Sequence, residues 1–235
     1  MMRFIVEDRV FDKLDDLCFG VVVARGINNL KKIDGIKEML DQSISAIIAE
    51  MGEAKIKEHS RIIPYRHAFV QLGFNPNKFA PSVEALISRI LKGGQLPGIN
   101  NIVDLANAVS LKYVLPIGAH DLDLAIEDLA VRFSADGDSF IPFGATAAES
   151  PEPGELVYAS GSAVKTRRWI WRQSEQGKIT EKSSNIFFPI DGFSGENGDA
   201  VMLARDELAE RLEHFFKCTV KVGFVDRHNR SMPLV

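Results

Sequence analysis

Cysteine, tryptophan and long apolar runs are all scarce in this chain. Its 235 residues include two cysteines, Cys18 and Cys218, at opposite ends. That excludes a disulfide scaffold, and neither thiol has the Cys-x-x-Cys or histidine spacing of a zinc site. Leu17, Phe19, Val220 and Val222 surround them, so both read as small buried hydrophobes in strands, reduced as in the cytosol. No apolar run approaches the roughly 20 residues of a membrane span. The opening Met-Met-Arg-Phe-Ile-Val-Glu-Asp carries acids too early for a secretory signal. A cytoplasmic location and no membrane partner are expected. Gly-x-Gly-x-x-Gly and Walker loops, internal repeats and low-complexity segments are absent. The acids at 121, 123, 127 and 128 lack the glycine and closing glutamate of a calcium loop, and no other group has metal-ligand spacing. No metal and no cofactor are expected. Basic excess is also missing: 28 Lys plus Arg against 32 Asp plus Glu give a net charge of −4. That excludes a whole-protein field for nucleic acid, and no DNA partner is expected.

What is present is an ordinary globular balance, 46% hydrophobic and 26% charged. Residues 17–24 form a continuous, β-branched apolar run that reads as a buried strand. Asp34 offers an N-cap to a helix on Ile36, Leu40, Ile44, Ile47, Ile48 and Met51. A second helix starts near Pro81-Ser82 and stops at Gly93-Gly94. Asn100 caps a third, whose Asp104, Asn107 and Ser110 share a polar face. From about 128 to 191 short strands alternate with turns, including 156–159, 164–172 and 186–190, with a Pro-containing loop at 144–154. A final helix over 199–216 leads to a strand with Cys218, Val220, Val222 and Phe224 on one face. The tail after Arg227 reads as loose. Without strict βαβ alternation the fold class is α+β, and no linker divides the chain, so one domain over 1–235 is expected.

Charge is segregated along the chain. Residues 121–155 carry nine acids and one base, or −8, while 163–172 carry four bases and no acid, or +4. As a strand, 163–172 would put Lys165, Arg167, Trp169 and Trp171 on one face and Arg168 and Arg172 on the other. Guanidinium groups beside indoles suit RNA, binding phosphate and stacking on unpaired bases. Equally, the tryptophans would serve as core, with the arginines paired to the acidic stretch. His120-Asp121 follows Leu115-Pro116-Ile117, and its imidazole has the chemistry of a general base or a water-orienting group. Tyr65-Arg66-His67 reads as surface near a helix start, and His214 as a cation in the last turn of its helix.

Several ordered motifs carry a resemblance to a known family. They are Arg89-Ile-Leu-Lys-Gly-Gly94, Leu96-Pro-Gly-Ile-Asn-Asn-Ile-Val-Asp-Leu-Ala-Asn107, Pro116-Ile-Gly-Ala-His-Asp-Leu-Asp123, Val131-Arg132, Arg167-Arg-Trp-Ile-Trp-Arg-Gln173 and Thr180-Glu-Lys-Ser-Ser-Asn-Ile186. Over about 60–195 the chain resembles the editing domain of the phenylalanyl-tRNA synthetase beta subunit, the B3/B4 domain, especially its free-standing version. The resemblance implies a layered antiparallel or mixed β-sheet with flanking helices. It also implies a pocket between the helix of Asn107 and the strands around 116–120 and 172–190, and a tRNA partner met at its aminoacylated 3′ end. In the synthetase the domain hydrolyses tyrosine wrongly attached to tRNA; phenylalanine–tRNA ligase activity is not expected. Aligned by eye, the family asparagine is Asn107, while its neighbouring threonine becomes Ala106. The family histidine falls on Gly118, with His120 two positions along on the same strand face. The Gly-Gly loop falls on Gln173-Ser174, and the hydroxyl-recognising glutamate on Pro189. A site that selects a hydroxyl needs a polar partner for it, so tyrosine editing in the synthetase's manner is not implied.

Three functions are weighed. The first is an aminoacyl-tRNA deacylase acting in trans, with Asn107 and His120 as catalytic residues. The second is a non-catalytic module for tRNA or an amino-acid-like ligand, with Arg167, Arg168, Trp169, Arg172, Gln173 and Asn185 as RNA- or ligand-binding residues. The third keeps the fold for a metabolic small molecule.

Overall fold

The computed structural model describes residues 1–30, 33–52, 55–96 and 98–234. Pro97 of the family-like motif lies outside the described residues. In chain order the elements are β1 (Arg3–Val6), α1 (Asp8–Phe11), β2 (Leu17–Arg25), α2 (Asp34–Met51), α3 (Ile63–Gln71), α4 (Ser82–Leu91), α5 (Asn101–Tyr113) and β3 (His120–Asp121). There follow β4 (Leu129–Phe133), β5 (Leu156–Ser160), β6 (Ala163–Arg167), β7 (Arg172–Gln173), β8 (Ile186–Phe193), α6 (Gly198–Phe216), β9 (Thr219–Val225) and β10 (Ser231–Pro233). One sheet has the order β10-β1-β4-β5-β6-β7 and the other β3-β8-β2-β9. The fold is α+β, with antiparallel pairing throughout except the parallel pair β1/β4.

The apolar run at 17–24 becomes β2 because it is covered on both sides. It pairs antiparallel with β8, Leu17 opposite Phe193 through Ala24 opposite Ile186, and with β9 on its other edge. Phe4 and Tyr158 from one sheet meet Phe19 and Phe187 from the other, and one apolar cluster runs through both sheets. Each such side chain contributes about 1.5–3 kcal/mol on burial. α6 lies close on β2 and β8 because the strands carry glycine there. A Cβ on Gly20 would meet Val201 Cγ1 at 2.9 Å, and one on Gly192 would meet Asn197 Oδ1 at 2.6 Å.

Helix starts follow local chemistry. Asn100 Oδ1 accepts from Val103 N–H at 3.1 Å and caps α5. Ile33, not Asp34, is the N-cap of α2, and Asp34 instead supplies the acid of the first turn. Three further expectations are corrected. The tail after Arg227 is ordered by pairing: β10 closes on β1 and buries Met232 and Leu234. Cys218 lies just outside β9 and is half-buried, whereas Cys18 is in β2 and buried. The third correction, the strand over 164–172, bears on the site. Among the described residues no helix is long and apolar enough to cross a membrane.

Candidate functional site

β6 stops at Arg167 because Arg168 and Trp169 adopt left-handed backbone, φ +45° and +60°. Each such non-glycine residue costs about 1–3 kcal/mol. The compensation is visible. Trp169 is fully buried, its backbone N–H donates to Leu156 O at 2.6 Å, and its indole Nε1–H donates to Asp191 Oδ1 at 2.6 Å. The turn swings the indole inward, so the expected alternation of faces over 163–172 does not form.

The arginines follow the second of the two readings of this segment. Arg167 is 7% exposed and forks onto Glu155, Nε to Oε1 at 2.9 Å and Nη2 to Oε2 at 2.8 Å, while its Nη1 meets Glu149 at 2.7 Å. Glu155 is itself buried, which makes this a strong charge-assisted pair. Arg168, 3% exposed, reaches Glu152 at 3.0 Å and lies over the Phe79 ring at 3.9 Å and the Trp171 ring at 4.9 Å. Arg167, Arg168 and Trp169 are therefore corrected from a surface strand to interior groups, held by the acids of 149–155 and by packing. Arg172 is exposed beside the half-buried Trp171, with 5.9 Å from guanidinium to ring. Gln173 donates to Ala119 O at 2.6 Å, and Asn185 donates to Asp123 Oδ1 at 2.8 Å.

His120 sits in β3 opposite Phe187 and is 2% exposed. It stacks against Tyr158 and Phe187 at centroid distances of 5.5 and 6.0 Å. Its Nδ1 has no partner, and burial, helped by the nearby Lys165 charge, lowers its pKa to about 3. The ring is neutral at physiological pH, as a base must be, but it is closed in. Gly118 and Pro189, the positions aligned with the family histidine and glutamate, face one another: Gly118 N–H donates to Pro189 O at 2.9 Å. A Cβ on Gly118 would stand 3.0 Å from Pro189 Cγ and 3.2 Å from His120 Nε2. The proline ring and the imidazole occupy the room a larger side chain at 118 would need. Asn107 is half-buried on α5. Its expected face-mate Ser110 is instead buried, donating to Leu115 O at 2.6 Å.

A buried polar centre was not among the expected sites. Asp191, 1% exposed in β8, accepts from Tyr158 Oη–H and Trp169 Nε1–H, both at 2.6 Å. Tyr65 donates to its backbone oxygen at 2.9 Å. Burial raises the Asp191 pKa to about 7 against the opposing hydrogen bonds, and desolvation pushes the Cys18 thiol up to about 12. The signal was a carboxylate inside the apolar strand 186–193, which demands partners.

An open groove of about 830 Å³ lies elsewhere, between α2, α4, the segment after α4 and the start of α5. Ile36, Leu40 and Ile44 of α2 and Ile90 of α4 line it. Leu30, Ile48 and Ile99, 70%, 49% and 62% exposed, stand around it. Polar lining comes from Asn29, Asn100, Asp104 and Glu181, and from Lys37 and Asp41, which pair with each other at 2.5 Å. Asp104 Oδ1 accepts from Ile99 N–H at 3.0 Å, and desolvation raises its pKa. Neither Asn107 nor His120 lines this groove.

Two stacked sheets, an internal carboxylate centre and a helix-walled groove define a layered α+β domain. Residues 64–216 match the family model described as the B3/4 domain, and the chain belongs to that family. A curated relative, the phenylalanine–tRNA ligase beta subunit of Streptococcus pneumoniae serotype 4, is 28% identical over 119 residues, 50% of this chain and 14% of that subunit. An N-terminal fragment of the phenylalanyl-tRNA synthetase beta subunit from Pyrococcus horikoshii superposes with a TM-score of 0.51 at 11% identity. It covers 92% of this chain and 49% of that fragment. The chain is thus a synthetase-related B3/4 protein that spans a small part of the curated subunit it matches.

Proposed function

We propose that this protein recognises an aminoacyl group at the 3′ end of a tRNA, holding it in the groove between α2, α4 and α5, without hydrolysing it. The carrying observation is the groove itself: an aliphatic floor of Ile36, Leu40, Ile44 and Ile90 beside the acceptors Asn29 and Asp104. That combination suits an apolar side chain with a polar head. Membership in the B3/4 family and the likeness to beta-subunit chains support tRNA as the carrier. Arg172, exposed beside Trp171, is the proposed phosphate contact. Absence of hydrolysis is proposed because His120 is enclosed and neither His120 nor Asn107 borders the groove.

One observation favours a second reading, ester hydrolysis in trans. The family asparagine is retained as Asn107, which is half-buried on α5. A panel of correctly charged and mischarged tRNAs separates the two. Binding that is stronger for charged than for uncharged tRNA, with no loss of ester beyond buffer, supports recognition. Accelerated ester loss that Asn107→Ala removes supports hydrolysis. Equal binding of charged and uncharged tRNA would sink the aminoacyl reading.

A further inference from the structure

We propose that the groove selects a primary ammonium group attached to an aliphatic chain, so that among aminoacyl units it takes aliphatic ones with a free α-amino group. This rests on the aminoacyl reading above and narrows it to a ligand class.

The head of the groove gathers acceptors, with the amides of Gln95, Asn100 and Asn101 beside them. Asn29 is 4% exposed; its Nδ2 donates to Thr180 O at 3.0 Å, which fixes the amide, and its Oδ1 is left buried and unpartnered. A buried orphan acceptor leaves a desolvation cost that a donor from outside removes. Asp104 spends Oδ1 on the Ile99 N–H, and Oδ2 has no donor among the described residues. Glu181 also lines the groove and has no ion-pair partner among the described residues. Lys37, the cation among the described lining residues, is committed to Asp41. An ammonium supplies three donors and a positive charge, the complement of such a set.

The floor decides the other half of the ligand. Ile36, Leu40, Ile44 and Ile90 are aliphatic, and the described lining residues include no aromatic ring. The four aliphatic side chains of that floor offer a phenol hydroxyl no hydrogen-bond partner. An aliphatic chain loses nothing by entering. One wall, α2, precedes residues 64–216, so this half of the groove comes from outside the family match.

Isothermal titration calorimetry with leucinamide, N-acetyl-leucinamide and tyrosinamide tests the idea on the full chain. Leucinamide should bind. N-acetyl-leucinamide, without the ammonium, should bind about tenfold more weakly or worse, and tyrosinamide about tenfold more weakly. Asp104→Asn keeps an acceptor for Ile99 N–H but removes the charge, and should weaken leucinamide about tenfold with an unchanged unfolding midpoint. Ile48→Lys, at an exposed rim position, should weaken it without touching the fold. No leucinamide binding at millimolar concentration, equal binding of the acetylated or tyrosyl probe, or indifference to Asp104→Asn would each overturn the proposal. Leucinamide binding that depends on Asp104 alongside no preference for charged tRNA would leave this inference standing and remove the tRNA carrier. Charged-tRNA binding indifferent to both variants would do the reverse.

Discussion

Asp191 and His120 are joined through one tyrosine, and their titrations should oppose each other. Tyr158 donates to Asp191 at 2.6 Å and stacks on His120 at 5.5 Å. An unfolded aspartate titrates near 3.8, whereas native Asp191 titrates near about 7. Between those values the native state holds a proton that the unfolded state has released. Stability therefore falls as pH rises, by about 1.4 kcal/mol per unit and on the order of 4 kcal/mol in all. An unfolded histidine takes up its proton below 6.5, but native His120 only below about 3. There the unfolded state holds the extra proton, and stability rises with pH by a similar amount. The two slopes overlap from about pH 4 to 6.5 and largely cancel. Asp191→Asn keeps Oδ1 for Tyr158 and Trp169 and removes the falling slope; His120→Phe keeps the stacked ring and removes the rising one. Urea unfolding across this range gives each variant's stability relative to the parent, so that other carboxylates drop out. The Asp191→Asn difference should climb by on the order of 4 kcal/mol from about pH 4 to 7, and the His120→Phe difference should fall over about pH 3 to 6.5. Differences flat within about 1 kcal/mol would refute the linkage.

Glu155→Gln leaves the buried Arg167 without its forked counter-charge and should destabilise by about 3–5 kcal/mol in equilibrium denaturation. The neighbouring Glu152→Gln removes a pair whose acid is 75% exposed and should cost less than about 1 kcal/mol. Gly192→Ala forces a Cβ against Val201 and Asn197, and a loss of about 1–3 kcal/mol should appear as a lower Tm. Deleting 231–235 removes β10 and uncovers the core around β1. The truncated chain should melt earlier and its β1 amides should exchange faster.

The elements that were legible in the sequence have a locally sufficient cause. Leu17–Arg25 is apolar enough to need covering on both faces, and α5 carries its own cap in Asn100. The elements that were not legible depend on partners far along the chain. β1 and β10 are short, three or four residues each, and become strands only through each other and β4. The break after Arg167 was hidden for the same reason. Val164 to Arg172 has the composition of a strand, and only the distant Asp191 and Leu156 reward turning Trp169 inward. Tertiary contacts overrode a correct local propensity.

The site divides along the same line. Segregated charge is visible in sequence, but its sign pattern does not say whether a basic strand faces solvent or its own acids. Here geometry decides for the interior: Glu149, Glu152 and Glu155 of the −8 segment pair with Arg167 and Arg168 of the +4 segment. That leaves Arg172 as the exposed arginine of the segment. Asp104 belonged to the polar face read from spacing, yet its place in the groove needed α2 beside α5, a long-range contact that no local motif encodes. The substitutions at Gly118 and Pro189 complete the reasoning. In isolation they look like losses from a catalytic set, whereas in the fold they pack against His120 and close that region. The proline ring and the imidazole fill the room beside Gly118, whereas Asn29 Oδ1 stays unpartnered beside the groove, so the proposed binding falls to α2 and α5.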